Sequence, residues 1–505
     1  MALPERMHII HIATELAQVA KVGGLGDVIY GLSKAQVKEG HRVEIILPKY
    51  DCIQWNHLNN LTVAHRDLWV AEGSQRFNNT IWKATHDNLS LFLIDPHHPH
   101  YYFTRGIIYG AHDDIDRFAY FSKAACEFLF QMQLRPHILH LHDWPTSLVA
   151  PLYKDLYSKE GMRAGALVLT IHNLQYQGKS SPFHLSRIGL NGSHYLHPER
   201  MQDPFQPLLV NLLKGGIVYA DGVTTVSPTF EKESKTPLGG FGLHEILCKH
   251  KNKFRGILNG IDENFWNPQT DPYLKKNYAV SSSLSDKEFA AVLAGKEENR
   301  KELCKRCSLS HQKKTLLGSI TRLVSQKGPK LILQAIERTL EKGGQYILLG
   351  SQPEEEVMKA LATLKKTYPK SQLSLNFEQD EELAHLIYAG AHLFVIPSLF
   401  EPCGLTQMIA MRYGSIPIVR KTGGLADTVF DIDTSDAPLS ERNGFSFDFP
   451  DREGVHWALD RALTCQETDP QKWHLLIRHA LAHDFSWKQA TPQYLSLYQE
   501  LLKPV

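Results

Sequence analysis

The chain has 505 residues, 43% hydrophobic and 22% charged, an ordinary globular balance that excludes a disordered or collagen-like polymer. Single hydrophobic cores stop growing at roughly 250–300 residues, so two domains are expected. Lys and Arg number 55 against 54 Asp and Glu, a formal charge of +1, so no global field draws the chain to nucleic acid or an anionic membrane; the expected partner is neutral, or a small anion held by a few placed cations.

The apolar runs, such as Val43–Pro48 and Ala166–Ile171, are of strand length and fall short of the ~18–20 residues of a membrane span. Met1–Arg6 leads straight into a strand-like segment without a secretory core or cleavage site. Seven scattered cysteines, with Cys304 and Cys307 as the one CxxC pair, read as free thiols in a reducing compartment. These features together predict a soluble, cytoplasmic protein.

In chain order, strands are predicted at Met7–Ala13, Arg42–Leu47, Ile138–Leu141, Ala166–Ile171 and Gly222–Val226. A second series follows at Leu316–Ile320, Tyr346–Leu349, Leu373–Phe377, Leu393–Ile396 and Ile416–Val419. Helical periodicity over Asp27–Glu39 places Val28, Leu32 and Ala35 on one face, and Phe118–Gln131 does the same for Phe118, Phe121, Ala125 and Phe128. Strand–helix alternation predicts parallel sheets covered on both faces. The turn signal at Gly256–Asp262 and the poorly patterned stretch Asn267–Asp286 mark a boundary. The expected fold class is α/β, with two Rossmann-like domains at 1–258 and 259–485 whose sheets face across a cleft. A C-terminal helix at 486–505 is a candidate to cross back.

Four segments carry chemistry. Lys21-Val22-Gly23-Gly24-Leu25-Gly26-Asp27 lies between a strand and a helix, where glycines admit a ligand to the backbone and helix N–H groups attract an anion. It is a poor dinucleotide fingerprint, because Ile29 stands in the place of the third glycine. Arg322 and Lys327, five apart at a strand-to-helix turn, can converge on a pyrophosphate leaving group, which needs fixed cations when no metal is present. In Pro397–Thr406, Glu401 is placed to accept from neutral hydroxyls, and the N–H groups of Gly404, Leu405 and Thr406 can cap a phosphate or ribose. His137, His140, His142 and Asp143 resemble a metal set, but no second cluster completes a tetrahedral site. Asp143 therefore reads as a hydroxyl acceptor, and His172 ends a further strand at the same edge. Asp114-Ile115-Asp116 and Asp431-Ile432-Asp433 are discounted as metal–nucleotide pairs, since neither follows a convincing strand end.

These residues, in this order, resemble the bacterial glycogen synthase and plant starch synthase family, retaining glucosyltransferases of the two-domain GT-B type. The matching segments span nearly the whole chain. They include Lys21–Val28, His142-Asp143-Trp144, Thr170–Gly178, Asn211–Ile217, Gly256–Asp262, Arg322–Gly328, Phe400–Gln407 and Lys421–Asp427. The resemblance implies a catalytic group of Lys21, His172, Arg322, Lys327 and Glu401. It implies donor or substrate contacts at Gly23, Gly24, Asp143, Asn259, Phe377, Gly404, Leu405 and Thr406, with Phe377 stacking the nucleobase. Val22 replaces a frequent Ser or Thr after the lysine.

The expected reaction moves glucose from ADP-glucose, with UDP-glucose as the alternative, to the 4-hydroxyl at the non-reducing end of an α-1,4-glucan such as glycogen. The α configuration is kept. Retaining glycosidases use two close carboxylates, whereas only Glu401 stands out here, so a front-face, ion-pair-like substitution is expected. Domain closure is expected to exclude water. Neither a metal nor pyridoxal phosphate is expected. An α-glucan phosphorylase would need the latter, and the sequence shows no matching segment. A non-catalytic glucan binder would have no use for leaving-group cations.

Overall fold

The computed structural model describes residues 4–311, 314–351 and 353–503. Met1–Leu3 of the predicted leaderless start and the last two positions of the predicted 486–505 helix lie outside the described residues. The chain divides into two compact units, Met1–Gly260 with Trp487–Val505, and Ile261–Ser486.

The first unit contains β1 (His8–Ile12), β2 (Arg42–Pro48), β3 (Asn59–Glu72), β4 (Gln75–His86), β5 (Leu89–Pro96), β6 (Ile138–His142), β7 (Ala166–Ile171), β8 (Lys179–Ser180), β9 (Val210–Asn211), β10 (Gly222–Thr225) and β11 (Phe254–Gly256). Strands β8 and β9 pair with each other, and the other nine form one sheet in the order β11-β10-β7-β6-β1-β2-β5-β4-β3. From β11 to β5 the pairing is parallel, and β6 and β7 are buried along their whole length. That explains why β7 reads as a nearly continuous apolar run, whereas β6 encloses His140 and His142 as well. The antiparallel meander of β3, β4 and β5 is absent from the sequence prediction. Most of β3 is solvent-facing, so it lacks the apolar signal by which a strand is recognised.

The helix Gly24–Lys38 turns Val28 and Leu32 toward the C-terminal helix Trp487–Leu502. There Trp487, Ala490, Tyr494, Leu497 and Tyr498 close one core over Ile9, Ile138 and Val168. Contact is close enough that a Cβ on Gly31 would lie 1.9 Å from Nε1 of Trp487. Through this face the last helix belongs to the first unit, as does Asn259, which the sequence reading assigned to the second domain.

The second unit carries a parallel sheet of six strands, β12 (Leu316–Arg322), β13 (Gln345–Ser351), β14 (Leu373–Asn376), β15 (Leu393–Ile396), β16 (Ile416–Arg420) and β17 (Phe445–Phe447), in the order β14-β13-β12-β15-β16-β17. The helix Pro329–Glu341 starts with Pro at its first position, where a missing N–H costs nothing, and buries Leu331, Ile332, Ala335 and Ile336. Among the described residues no helix is long and apolar enough to cross a membrane.

Candidate active site

In each unit the candidate residues leave the carboxyl ends of adjacent parallel strands, where open α/β sheets place their ligands. In the first unit, β1 runs into a loop that Glu15 organises. The Glu15 carboxylate accepts from the N–H of Val22 at 2.6 Å, from that of Gly23 at 2.9 Å, and from the Tyr109 hydroxyl at 2.9 Å. Burial pushes the Glu15 carboxyl above its usual range, against the pull of those donors. The N–H of Gly23 is thus used within the protein, and the helix that follows begins at Gly24. Gly26 is needed for close approach, since a Cβ there would lie 3.1 Å from the backbone nitrogen of Ala17. Lys21 reaches Asp27 at 2.7 Å, and both side chains are substantially exposed.

Asp143 follows β6 with φ 58° and ψ −176°, a conformation that side-chain-bearing residues seldom adopt. The strain is held because its Oδ1 accepts from the N–H of His172 at 2.7 Å and of Asn173 at 3.4 Å, which ties the ends of β6 and β7 together. Burial pushes its carboxyl up to about 7. His172 in turn lies 3.1 Å, Nε2 to Nδ1, from His142, and burial lowers its imidazole to about 3. Asn259 follows β11 almost fully buried, and its Oδ1 has no hydrogen-bond partner among the described residues.

In the second unit, a pocket of roughly 110 Å³ opens between the ends of β12 and β15, lined by Arg322, Lys327, Ser398 and Thr406 among others. Two loops are welded to form it. Leu399 N–H donates to the Gln326 carbonyl at 2.8 Å, and Gly328, at φ 66°, packs so tightly that a Cβ would lie 2.4 Å from the Pro397 carbonyl oxygen. Lys327 Nζ sits 2.5 Å from Oε2 of the buried Glu401, which also accepts from the Ser398 hydroxyl at 2.9 Å. Arg322 has no ion-pair partner among the described residues. The pocket therefore combines one paired and one uncommitted cation with a fixed carboxylate.

Gly404 takes φ 72° before the short helix Thr406–Arg412, and Gln407 closes the turn by donating to the carbonyls of Cys403 and Gly404. Leu405 stands immediately before that helix and makes no side-chain cap. Gly423, at φ 46°, lets the following loop lie against Glu401, where a Cβ would meet the Glu401 carbonyl oxygen at 2.0 Å. Phe377 follows the edge strand β14 and does not line the pocket.

The discounted acidic pairs have structural partners. Asp116 holds Arg187 and His184, and Asp431 holds Arg461.

Residues 8–249 match the family profile described as starch synthase catalytic domain, and residues 301–474 match glycosyl transferases group 1. A glycogen synthase of Protochlamydia amoebophila is 47% identical over 98% of this chain and 99% of its own. The chain belongs to the glycogen and starch synthase family of glycosyltransferases. Glycogen synthase 2 of Methylococcus capsulatus is 42% identical over 97% of this chain and 99% of its own. The solved catalytic domain of starch synthase IV from Arabidopsis thaliana, bound to ADP and acarbose, superposes with a TM-score of 0.92 at 46% identity, covering 98% of this chain and 99% of that one. Membership of this glycosyltransferase family fixes the fold as GT-B and the protein as an enzyme that transfers a sugar.

Sequence reasoning passed over two members of the site. Glu15 shapes the glycine loop, and the signal was a carboxylate directly after a buried strand, in Thr14-Glu15-Leu16. Ser398 orients Glu401, and only its place three residues earlier hinted at that.

Proposed function

We propose that this enzyme transfers the glucosyl group of ADP-glucose to the 4-hydroxyl at the non-reducing end of an α-1,4-glucan, with retention of configuration. The observation that carries the reading is the pocket in which Arg322 and Lys327 stand beside the buried Glu401 carboxylate, in a chain of near-full-length identity to glycogen synthases. The ADP found in the Arabidopsis relative supports adenine as the donor base.

Breaking the anomeric bond concentrates negative charge on the departing diphosphate and leaves oxocarbenium character on the sugar. Arg322 and Lys327 neutralise the first, aided by the N–H groups of Gly404, Leu405 and Thr406. Such contacts are typically worth ~2.7–4 kcal/mol of barrier each. Lys21 and Gly24 meet the diphosphate and sugar, and Phe377 stacks the base. Asp143, His172 and Asn259 surround the glucosyl group. Glu401, with one oxygen held by Lys327 and Ser398, keeps the other for sugar hydroxyls. A carboxylate bound in this way is a poor nucleophile, which supports a front-face substitution by the acceptor hydroxyl over a covalent intermediate. Two fixed cations make a metal unnecessary for the leaving group, and the reaction calls for no pyridoxal phosphate. The cytoplasm is the proposed compartment.

The test is ADP release from ADP-glucose with and without added glycogen, with kcat/KM compared for ADP-glucose and UDP-glucose. Glucan-dependent release with the adenine donor preferred is expected. Absence of glucan-dependent release from both donors would refute the reading.

A further inference from the structure

Beneath Asp143 and His172 lies a line of fully buried polar side chains that the reaction as proposed does not use. His11, from β1, sits opposite His140 of β6 in the sheet register. His11 Nε2 meets Gln36 Oε1 at 2.8 Å, His11 Nδ1 meets His142 Nε2 at 3.0 Å, and His142 Nδ1 meets His172 Nε2 at 3.1 Å. A second branch leaves the other end of the same amide. Gln36 Nε2 donates to the Tyr498 hydroxyl at 3.1 Å, Tyr498 reaches His140 Nδ1 at 2.7 Å, and His140 Nε2 reaches Thr170 Oγ1 at 2.6 Å. His11, His140 and His142 cluster closely enough to suggest a metal, but every one of their ring nitrogens already has one of these partners.

The direction of the protons follows from the amide. Gln36 spends its N–H on Tyr498, so its oxygen faces His11 and can only accept. His11 must then carry its proton on Nε2, which leaves Nδ1 as an acceptor. His142 must donate from Nε2 to it, and His172 must donate from Nε2 to His142. Burial lowers His11 to about 4 and His172 to about 3, so each ring is neutral near pH 7, with one N–H and one lone pair. Each link is within hydrogen-bond distance, and the chain ends at the half-buried His172, whose Nδ1 is left with no partner among the described residues.

We propose that Gln36, His11 and His142 are positioning residues that hold His172 as its Nε2–H tautomer, leaving its Nδ1 as the acceptor for a hydroxyl of the glucosyl group. The tautomer half stands on the hydrogen-bond geometry and the neutrality of the buried rings, whereas the substrate half rests on the proposed glucosyl transfer. The amide of Gln36 sets the sense of both branches, and Tyr498, from the C-terminal helix, locks that amide. Integrity of the last helix is thereby linked to the proton position at His172, which lies more than three hundred residues earlier in the chain.

The test is two-bond proton–nitrogen NMR of the full chain labelled with ¹⁵N-histidine, with His172 assigned from His172→Gln. His11, His142 and His172 are expected as Nε2–H tautomers. Gln36→Met, which removes both ends of the amide, is expected to give a mixed tautomer at His172. It should lower kcat by ~10-fold or more, the scale on which outer-shell partners of a reactive group act, with donor KM within about twofold. A general loss of stability would not shift a tautomer. His172 found as Nδ1–H in the wild type, or unchanged by Gln36→Met, would overturn the relay. If Gln36→Met fails to fold, the wild-type tautomers decide. The spectra need no substrate, so failure of the relay and failure of the transfer reading are told apart.

Discussion

Lys327 Nζ lies 2.5 Å from Oε2 of Glu401, an ion pair that joins the turn after β12 to the turn after β15 across 74 residues of sequence. A cation and a carboxylate read separately from the sequence thus form one unit, each setting the other's position. The Lys327 side chain is 21% exposed and that of Glu401 only 6%, so loss of the lysine strands a buried charge. Lys327→Ala is expected to lower kcat by ~10²-fold or more and to lower stability by roughly 3 kcal/mol, the low end for one partner lost from a buried pair. The double variant with Glu401→Gln should regain stability without regaining activity. Denaturant unfolding and transfer assays check both, and a Lys327→Ala protein with wild-type turnover would contradict the assignment.

Arg322 lines the same pocket with no ion-pair partner among the described residues. Arg322→Ala should therefore cost ~10²–10³-fold in kcat while the unfolding free energy stays within about 0.5 kcal/mol. A large stability loss with normal turnover would reverse the roles assigned to the two cations.

Asp143 titrates at about 7 in the folded state against an ordinary value of 3.8. Between those values the folded chain binds more protons than the unfolded one, so this group makes stability fall as pH rises from about 4 to 7. Asp143→Asn keeps an oxygen for the N–H groups of His172 and Asn173 but removes the titration. Its unfolding free energy relative to wild type should climb across that window. Parallel curves from denaturant unfolding at several pH values would show that the carboxyl is not raised.

Under the proposed mechanism, in which Arg322 and Lys327 supply the countercharge to the leaving diphosphate, transfer should continue after exhaustive EDTA treatment. Complete loss of activity, restored by a divalent cation, would contradict this.

Gly31 is a packing requirement. A Cβ there would lie 1.9 Å from Trp487 Nε1, so Gly31→Ala must displace the C-terminal helix, at a cost of ~1–3 kcal/mol typical of overpacking. A changed Trp emission and a lower thermal midpoint are expected, and an unchanged midpoint would show that the helix yields freely.

Where burial is two-sided, the fold was legible in the sequence. Strands β7 and β15 are short, largely apolar runs because both faces of a parallel sheet are covered. Strand β3 was not legible, being largely solvent-facing. The polar stretch Asn267–Asp286 read as featureless. Asp271 within it is nonetheless buried, bonded to His385 Nδ1 at 2.6 Å and to the Tyr413 hydroxyl. A single buried acid leaves no period for a sequence reading to detect.

The sequence by itself determined the α/β plan, the glycine turns and the kinds of charged group at the strand ends, because periodicity and turn chemistry are local properties of the chain. Only the tertiary structure decided who pairs with whom. Lys327 with Glu401, Glu15 with the backbone of the glycine loop, and Gln36 with His11 and Tyr498 all join residues far apart in the chain. Such partners are chosen by where strands and helices pack, and by the cost of leaving a buried polar atom unsatisfied.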